Sequence, residues 1–304
     1  MLNMRRERIK RVLPLLAMTV PFFLLVVTFS YVPLWGWYIA FVKYFPGESV
    51  INSEFVGFKY FAQIFSAGSQ FENAMRNTLV FSAVGLILSP LPLLFAILVN
   101  EVRWKRFKQF VQIVTSFPNF ISWIIVYSIC FTFLSVDEGV INRLLVNLHI
   151  LDKPFDFLAT SWLTWFLQSL ISIWKSLGWS AIIYLAAIAS IDPEQYQAAE
   201  VDGAGRLQQI RHILIPGVMP TFAVLFLLNI GNMLSNGFDQ YYVFNNPLVH
   251  PKIDVLDTYM YRLGLVQLNF PLSTAIGVFK SAVSVILVFT ANMIYKKVNG
   301  KGII

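Results

Sequence analysis

Six runs of this chain are too apolar to rest in water and long enough to cross a bilayer. They cover residues 13–35, 78–99, 110–134, 162–190, 217–238 and 272–295. A helix rising about 1.5 Å per residue needs about 20 residues to cross roughly 30 Å of hydrocarbon. The hydrocarbon offers no water to unpaired N–H and C=O groups, so runs of this length must close their hydrogen bonds internally, as helices. The sequence therefore predicts an all-α, polytopic protein of the cell membrane with six transmembrane helices. Composition agrees: 57% of residues are hydrophobic and 13% charged, against about a quarter charged in soluble domains.

The connections between the runs differ in charge. Fourteen Lys and Arg lie in the segment before the first run, the connection between the second and third (Arg103 to Lys108), the connection around Gly203 (Arg206, Arg211) and the C-terminal segment. The remaining connections hold seven, and Lys175 and Lys280 fall inside runs. Basic residues accumulate on the cytoplasmic face, so both termini and the Gly203 connection are expected there. The chain then reads as a basic cytoplasmic N-terminus (1–12), a six-span domain (13–295) with a cytoplasmic loop at 191–216, and a cytoplasmic C-terminus (296–304). The first run follows a basic stretch, as a signal peptide would, but it is too long and no small-residue cleavage site follows, so it is expected to remain as an anchor. A net charge of +7 would point to nucleic acid in a soluble protein. Here the placement of the cations accounts for it, and no nucleic-acid partner is expected. A single Cys130 and three scattered His provide neither a disulfide framework nor a metal motif.

The polar connection from Tyr196 to Pro216 carries its own helix signals. Asp192 can cap, Pro193 suits the first helical position, and Gln195 stands at the capping-box position. Gly203 offers a break, and residues 204–214 read as helical again. Ala198 and Ala199 are small enough for another protein to approach closely. The spacing Ala198-Ala199, three residues, Gly203, nine residues, Ile213, two residues, Pro216 resembles the EAA loop of the permease subunits of binding-protein-dependent ABC importers. Gln197 stands where that pattern has Glu, which removes a charge, and Ile215 stands where it has Leu.

The resemblance implies the type I ABC importer permease fold, with the loop as a coupling helix seated on an ATPase subunit. Gln197, Ala198, Ala199, Glu200, Asp202, Gly203, Ala204, Ile213 and Pro216 would make that coupling. It also implies a second homologous permease, two ABC ATPase subunits that bind ATP and Mg, and an extracellular or periplasmic sugar-binding protein. No cofactor is expected on this chain. The chain has no Gly-x4-Gly-Lys-Ser/Thr sequence to cradle phosphates. It is therefore expected to be no enzyme, with ATP hydrolysis carried out by partners.

Polar side chains inside spans are costly and mark functional candidates. Asn229, Asn232, Asn236 and Asp239 recur at steps of three, four and three, one face of a continuous helix. Such a face could bond neighbouring helices or line a hydrophilic cavity, since amides both donate and accept. The resemblance favours the cavity, because the span after the EAA loop lines the substrate site in sugar importers of this class. The fourth run has a similar face of Gln168, Ser172, Lys175 and Trp179. Trp179 and Trp174 are candidates for stacking on sugar rings, with an interfacial belt the alternative for Trp174. Lys175 needs a partner, either Asp239 or an acidic sugar. Lys280 lies near an end of its run and could snorkel. Pro118 is expected to kink or start a helix. Around residues 116–123, 174–179 and 264–292 the chain resembles permeases for complex oligosaccharides. The competing readings are an ion-coupled secondary transporter, which would need inverted repeats, and a non-transporting membrane scaffold.

Overall fold

The computed structural model describes residues 14, 16–66, 68–300 and 302. Arg5, Arg6, Arg8, Lys10, Arg11 and Lys301, and the expected N-terminal segment 1–12, lie outside the described residues. Among the described residues, five helices are long and apolar enough to span a membrane: Leu16–Phe41, Gln70–Glu101, Ser161–Ala189, Arg206–Gly231 and Phe270–Lys297. A bent pair, Lys105–Phe120 and Trp123–Leu134, makes a sixth span when its two halves are counted as one. The only strand pairing among the described residues is two residues long: Val42–Lys43 runs antiparallel to Glu54–Phe55, with Lys43 opposite Glu54.

The described residues form two compact bodies. One holds those before residue 68 together with Met260–Phe279; the other holds Gly68–Tyr259 and those from Lys280 onward. Among its described residues the larger body shows two apolar cores. One gathers Leu93, Ala96, Ile97, Ala181, Tyr184, Ile188, Leu214 and Val218 from the second, fourth and fifth spans. Ala96 and Ala181 are fully buried, and such small residues let helix backbones approach closely. The other gathers Phe81, Val126 and Ile171 from three spans with Tyr241, Phe244, Val249, Ile253 and Val255 of the connection after the fifth.

The third span, where Pro118 is expected to kink or start a helix, is bent by 106°. Phe117–Phe120 forms a tight 3-10 turn, and Ile121 and Ser122 adopt extended backbone. Pro118 begins this change. Ser122 restarts the helix by accepting the Ile125 N–H on its hydroxyl. A break inside a membrane span frees carbonyls that nothing in lipid can satisfy. The fourth span supplies the donor. The Lys175 ammonium donates to the carbonyls of Pro118 at 3.1 Å, Asn119 at 2.8 Å and Ile121 at 2.7 Å, and lies 5.3 Å from the Trp123 ring. Gly178, one turn on, makes this proximity possible. A Cβ there would lie 2.3 Å from the carbonyl carbon and oxygen of Thr115.

The fifth span departs from expectation. Its helix ends at Gly231, not near residue 238. Asn232 leaves helical geometry, Ser235 closes a turn onto the Asn232 carbonyl, and Gly237 has φ +91°. Gly and Asn are weak helix formers, and the run 231–237 contains four of them. At its other end the span begins inside the expected loop. Arg206–Gln209 is α-helical, Ile210–Leu214 widens to a π turn, and Ile215–Gly231 continues it. Pro216 cannot donate the bond that an α-helix requires at that position, and the wider turn lies directly before it.

This joint between the third and fourth spans is testable. Lys175→Met leaves three carbonyls without their donor, each worth about 1–3 kcal/mol when buried. The expected result is a fall of several degrees or more in the detergent melting temperature and a reduced yield of folded chain. Gly178→Ala is expected to act in the same direction, at the about 1–3 kcal/mol typical of overpacking.

Candidate functional site

Two places concentrate polar chemistry: the loop before the fifth span and a cavity between the spans. In the loop, Pro193–Val201 is helical, and the Asp192 carboxylate accepts the Glu194 N–H at 2.9 Å. Gly203 has φ +76°, a left-handed conformation that only glycine adopts freely. The Ala204 N–H closes the turn onto the Ala199 carbonyl at 2.8 Å. The Gln208 side chain then accepts the Gly205 N–H at 2.8 Å and starts the next helix. Gln197, Ala198, Glu200, Asp202, Gly203 and Pro216 are exposed, while Ala199, Ala204 and Ile213 are half-buried. Two apolar side chains, Val201 and Leu207, are 88% and 78% exposed.

The loop is tied to the second span. Arg206 meets Glu101 with both nitrogens, Nε to Oε2 at 2.5 Å and Nη2 to Oε1 at 3.0 Å. Glu101 is the last residue of the helix Leu91–Glu101. Burial pushes the nearby Tyr196 hydroxyl above the usual phenol range; the Arg206 charge opposes that shift and the Glu101 charge adds to it.

The cavity, of about 270 Å³, lies among the second, fourth and fifth spans. Ser172, Ser176 and Ser180 line it from the fourth span, Ser89 from the break between Ser69–Leu88 and Leu91–Glu101, and Asn229 from the fifth span. Serines at every fourth position form one helix face. The Ser176 hydroxyl donates to the Ser172 carbonyl at 2.8 Å, and Ser89 donates to Leu86 at 2.8 Å. Their oxygens keep acceptor capacity toward the cavity. Sequence reading identified Ser172 and Asn229 but passed over Ser176, Ser180 and Ser89. The four-residue serine period in an apolar run was the available signal.

The structure disperses the other predicted residues. Because the helix ends at Gly231, the amide stripe is not a single face. Asn232 sits in a shallow recess with Val285 and Val288. The Asn236 amide nitrogen donates to Ser82 at 2.9 Å, its oxygen is buried without a hydrogen-bond partner among the described residues, and Ser82 in turn donates to the Met233 carbonyl. Asp239 is exposed at the start of the short helix Asp239–Val243. Asp239 partners neither lysine: Lys175 holds the three carbonyls, and Lys280 pairs with Asp257, which also accepts the Gly237 N–H at 3.1 Å. That pairing gives Lys280, whose side chain is 13% exposed, the partner that a charge inside a span needs, and excludes the snorkelling alternative. Gln168, expected on the face of Ser172 and Lys175, is buried against Gln240, whose amide donates to its side chain at 2.9 Å. Trp174 and Trp179 are both exposed, and Trp179 meets Phe120 edge-on at 5.4 Å.

Residues 89–300 match the family described as binding-protein-dependent transport system inner membrane component. Protein LplB of Bacillus subtilis is 42% identical over 287 residues, covering 93% of this chain and 89% of that protein. The polygalacturonan/rhamnogalacturonan transport system permease protein YteP of the same organism is 45% identical over 278 residues, covering 90% and 85%. Among solved structures, a bacterial ABC transporter involved in import of the acidic polysaccharide alginate superposes with TM-score 0.86 at 35% identity, covering 96% of this chain and 98% of that one. The alginate transporter in complex with its alginate pentasaccharide-bound periplasmic protein gives the same TM-score at 36% identity.

The link from the loop to the second span yields a prediction about the loop alone. Glu101→Arg should loosen the loop and speed proteolytic cleavage near Gly203 severalfold, and adding Arg206→Glu should restore the original rate. An exposed ion pair of this kind contributes about 1 kcal/mol or less, so folding of the spans should be unaffected.

Proposed function

The chain belongs to the family of binding-protein-dependent transport system inner membrane components, and from that premise we propose how its parts divide the work. It is a multi-pass permease subunit of an ABC importer for sugars, which sets aside the ion-coupled transporter and the scaffold. On our reading the Gly203 loop faces the cytoplasm and seats an ATPase subunit, one of two that bind ATP and Mg. A second permease completes the pathway, and a binding protein outside the cell delivers an oligosaccharide.

One observation carries this reading. The only structured loop bearing the EAA spacing turns through a left-handed glycine and presents Val201 and Leu207 to solvent. A chain with no phosphate-binding loop of its own needs such a surface to receive the work of ATP hydrolysis. The bidentate Arg206–Glu101 contact offers a route by which movement of the loop reaches the second span, and the π turn at Ile210–Leu214 passes it to the fifth. Both spans line the serine cavity. Hydroxyls and one amide suit a substrate made of hydroxyls, because each partner can both donate and accept. The saccharides in the names of the relatives support the substrate class. Loss of the Glu charge at Gln197 leaves the loop to rely on apolar and backbone contacts.

Two outcomes check the proposal in the assembled importer. Gly203→Arg forces a side chain into a left-handed turn and should remove ATPase co-purification and uptake together; retention of both would refute the docking role. Ser176→Phe should fill the cavity and lower oligosaccharide uptake tenfold or more, while the ATPase subunits remain bound. Normal uptake by that variant would remove the cavity from the pathway.

A further inference from the structure

The smaller body contains a second cavity, of about 970 Å³, which the transport reading does not use. It is bounded by the turn after the strand Val42–Lys43, the helix Lys59–Ser66 and the turn that precedes the helix Phe270–Asn299. Lys43 and Lys59 bring two ammonium groups to it, Tyr44 and Tyr60 two half-buried aromatic rings, and Gln267 and Asn269 two amides.

Neither ammonium has a carboxylate within ion-pair distance among the described residues. Glu54 stands opposite Lys43 in the strand pair, but it does not line the cavity. The Lys43 ammonium instead lies 5.7 Å from the centroid of the exposed Phe45 ring. The amide turn is held in an unusual shape. Leu268 has φ +56°, a region that a bulky side chain occupies at a cost of about 1–3 kcal/mol and that clusters at binding sites. The Gln267 and Asn269 N–H groups, bonded to the Arg262 and Leu263 carbonyls at 2.9 Å each, keep the turn closed. Burial pushes the Tyr60 hydroxyl above the usual phenol range, so it remains a neutral donor and acceptor.

These groups match one ligand chemistry. Aromatic rings cover the apolar faces of pyranose rings, amides and phenols pair with ring hydroxyls, and a lysine is a mobile point charge for a carboxylate. The volume is at the upper end of the range of about 300–1,000 Å³ typical of ligand sites. The distribution of Lys and Arg in the sequence assigns the connections after the first and fifth apolar runs to the outside of the cell, where substrate arrives.

We propose that this cavity is an entry subsite for saccharides carrying carboxylates, in which Lys43 and Lys59 hold uronate groups before the sugar moves between the spans. The proposal rests on the oligosaccharide-import reading and adds the charge of the substrate to it. A concave, aromatic- and amide-lined space fits a sugar chain better than it fits the broad surface that a binding protein would present.

The test compares two probes with the same backbone, an oligogalacturonate and its methyl ester, in the assembled importer reconstituted with its binding protein. Lys43→Gln combined with Lys59→Gln should lower the ratio of acid to ester uptake about tenfold. Lys153→Gln, which removes an exposed cation between the third and fourth spans, should leave that ratio as in the parent. Direct titration of the oligogalacturonate onto the nanodisc-embedded complex, without binding protein, should show saturable binding that the double variant loses. An unchanged ratio in the double variant overturns the subsite. So does an equal fall for acid and ester accompanied by loss of binding-protein-stimulated ATPase, which would make the surface a docking face for that protein. If the parent does not bind the oligogalacturonate directly, the subsite is removed; if it imports neither these probes nor any neutral oligosaccharide, the oligosaccharide reading fails with it.

Discussion

The three hydrogen bonds from Lys175 to the third span make the rest of the larger body possible. A span bent by 106° exposes carbonyls where no water can reach them, and an ammonium has three donors to offer. The charge and the break therefore answer each other: the break gives the buried cation its partners, and the cation gives the break its donors. Gly178 is the steric condition, because any side chain there would collide with the Thr115 backbone. Ile171, on the same helix as Lys175, packs in the core with Val126, which follows the break. A polar joint and an apolar contact thus hold the same two spans.

That joint leaves the rest of the fourth span free to present other faces. Ser172, Ser176 and Ser180 turn toward the second and fifth spans, where Ser89 and Asn229 complete a hydroxyl-rich cavity. Both neighbours are irregular where it matters. The second is interrupted at Ser89 and Pro90, and the fifth carries a π turn before Pro216. Irregular helices are the ones that can change curvature at little cost. The same two spans connect to the exposed loop, one through the Arg206–Glu101 ion pair and one through the continuous backbone. The loop thus has one ionic and one backbone connection to the two irregular helices that line the cavity.

Much of this architecture was legible in the residues. Apolar run length located the candidate spans, because the hydrocarbon leaves a backbone no alternative to internal pairing; five of the six runs hold a single long helix and the third holds a bent pair. The loop was legible for a similar local reason: Asp192, Pro193 and Gly203 act on their own backbone within a few residues, and the structure shows the cap, the helix and the left-handed turn at those positions. Run length could not reveal the ends and bends of the spans. Residues 217–238 look uniformly apolar enough to cross, yet Gly231, Asn232 and Gly237 end the helix early, and the amide stripe that depended on its continuation dissolves into separate contacts.

What the sequence determined by itself is therefore what local chemistry decides: six apolar runs long enough to cross, a helix–turn loop of the EAA type, and a costly cation in the fourth span. What the tertiary structure decided is which group answers which. Lys175 could have met Asp239 or a sugar; it meets three carbonyls on another span because Gly178 lets that span approach. Lys280 meets Asp257 and not lipid headgroups. Such pairings depend on packing between segments far apart in the chain, and no spacing rule within one segment encodes them.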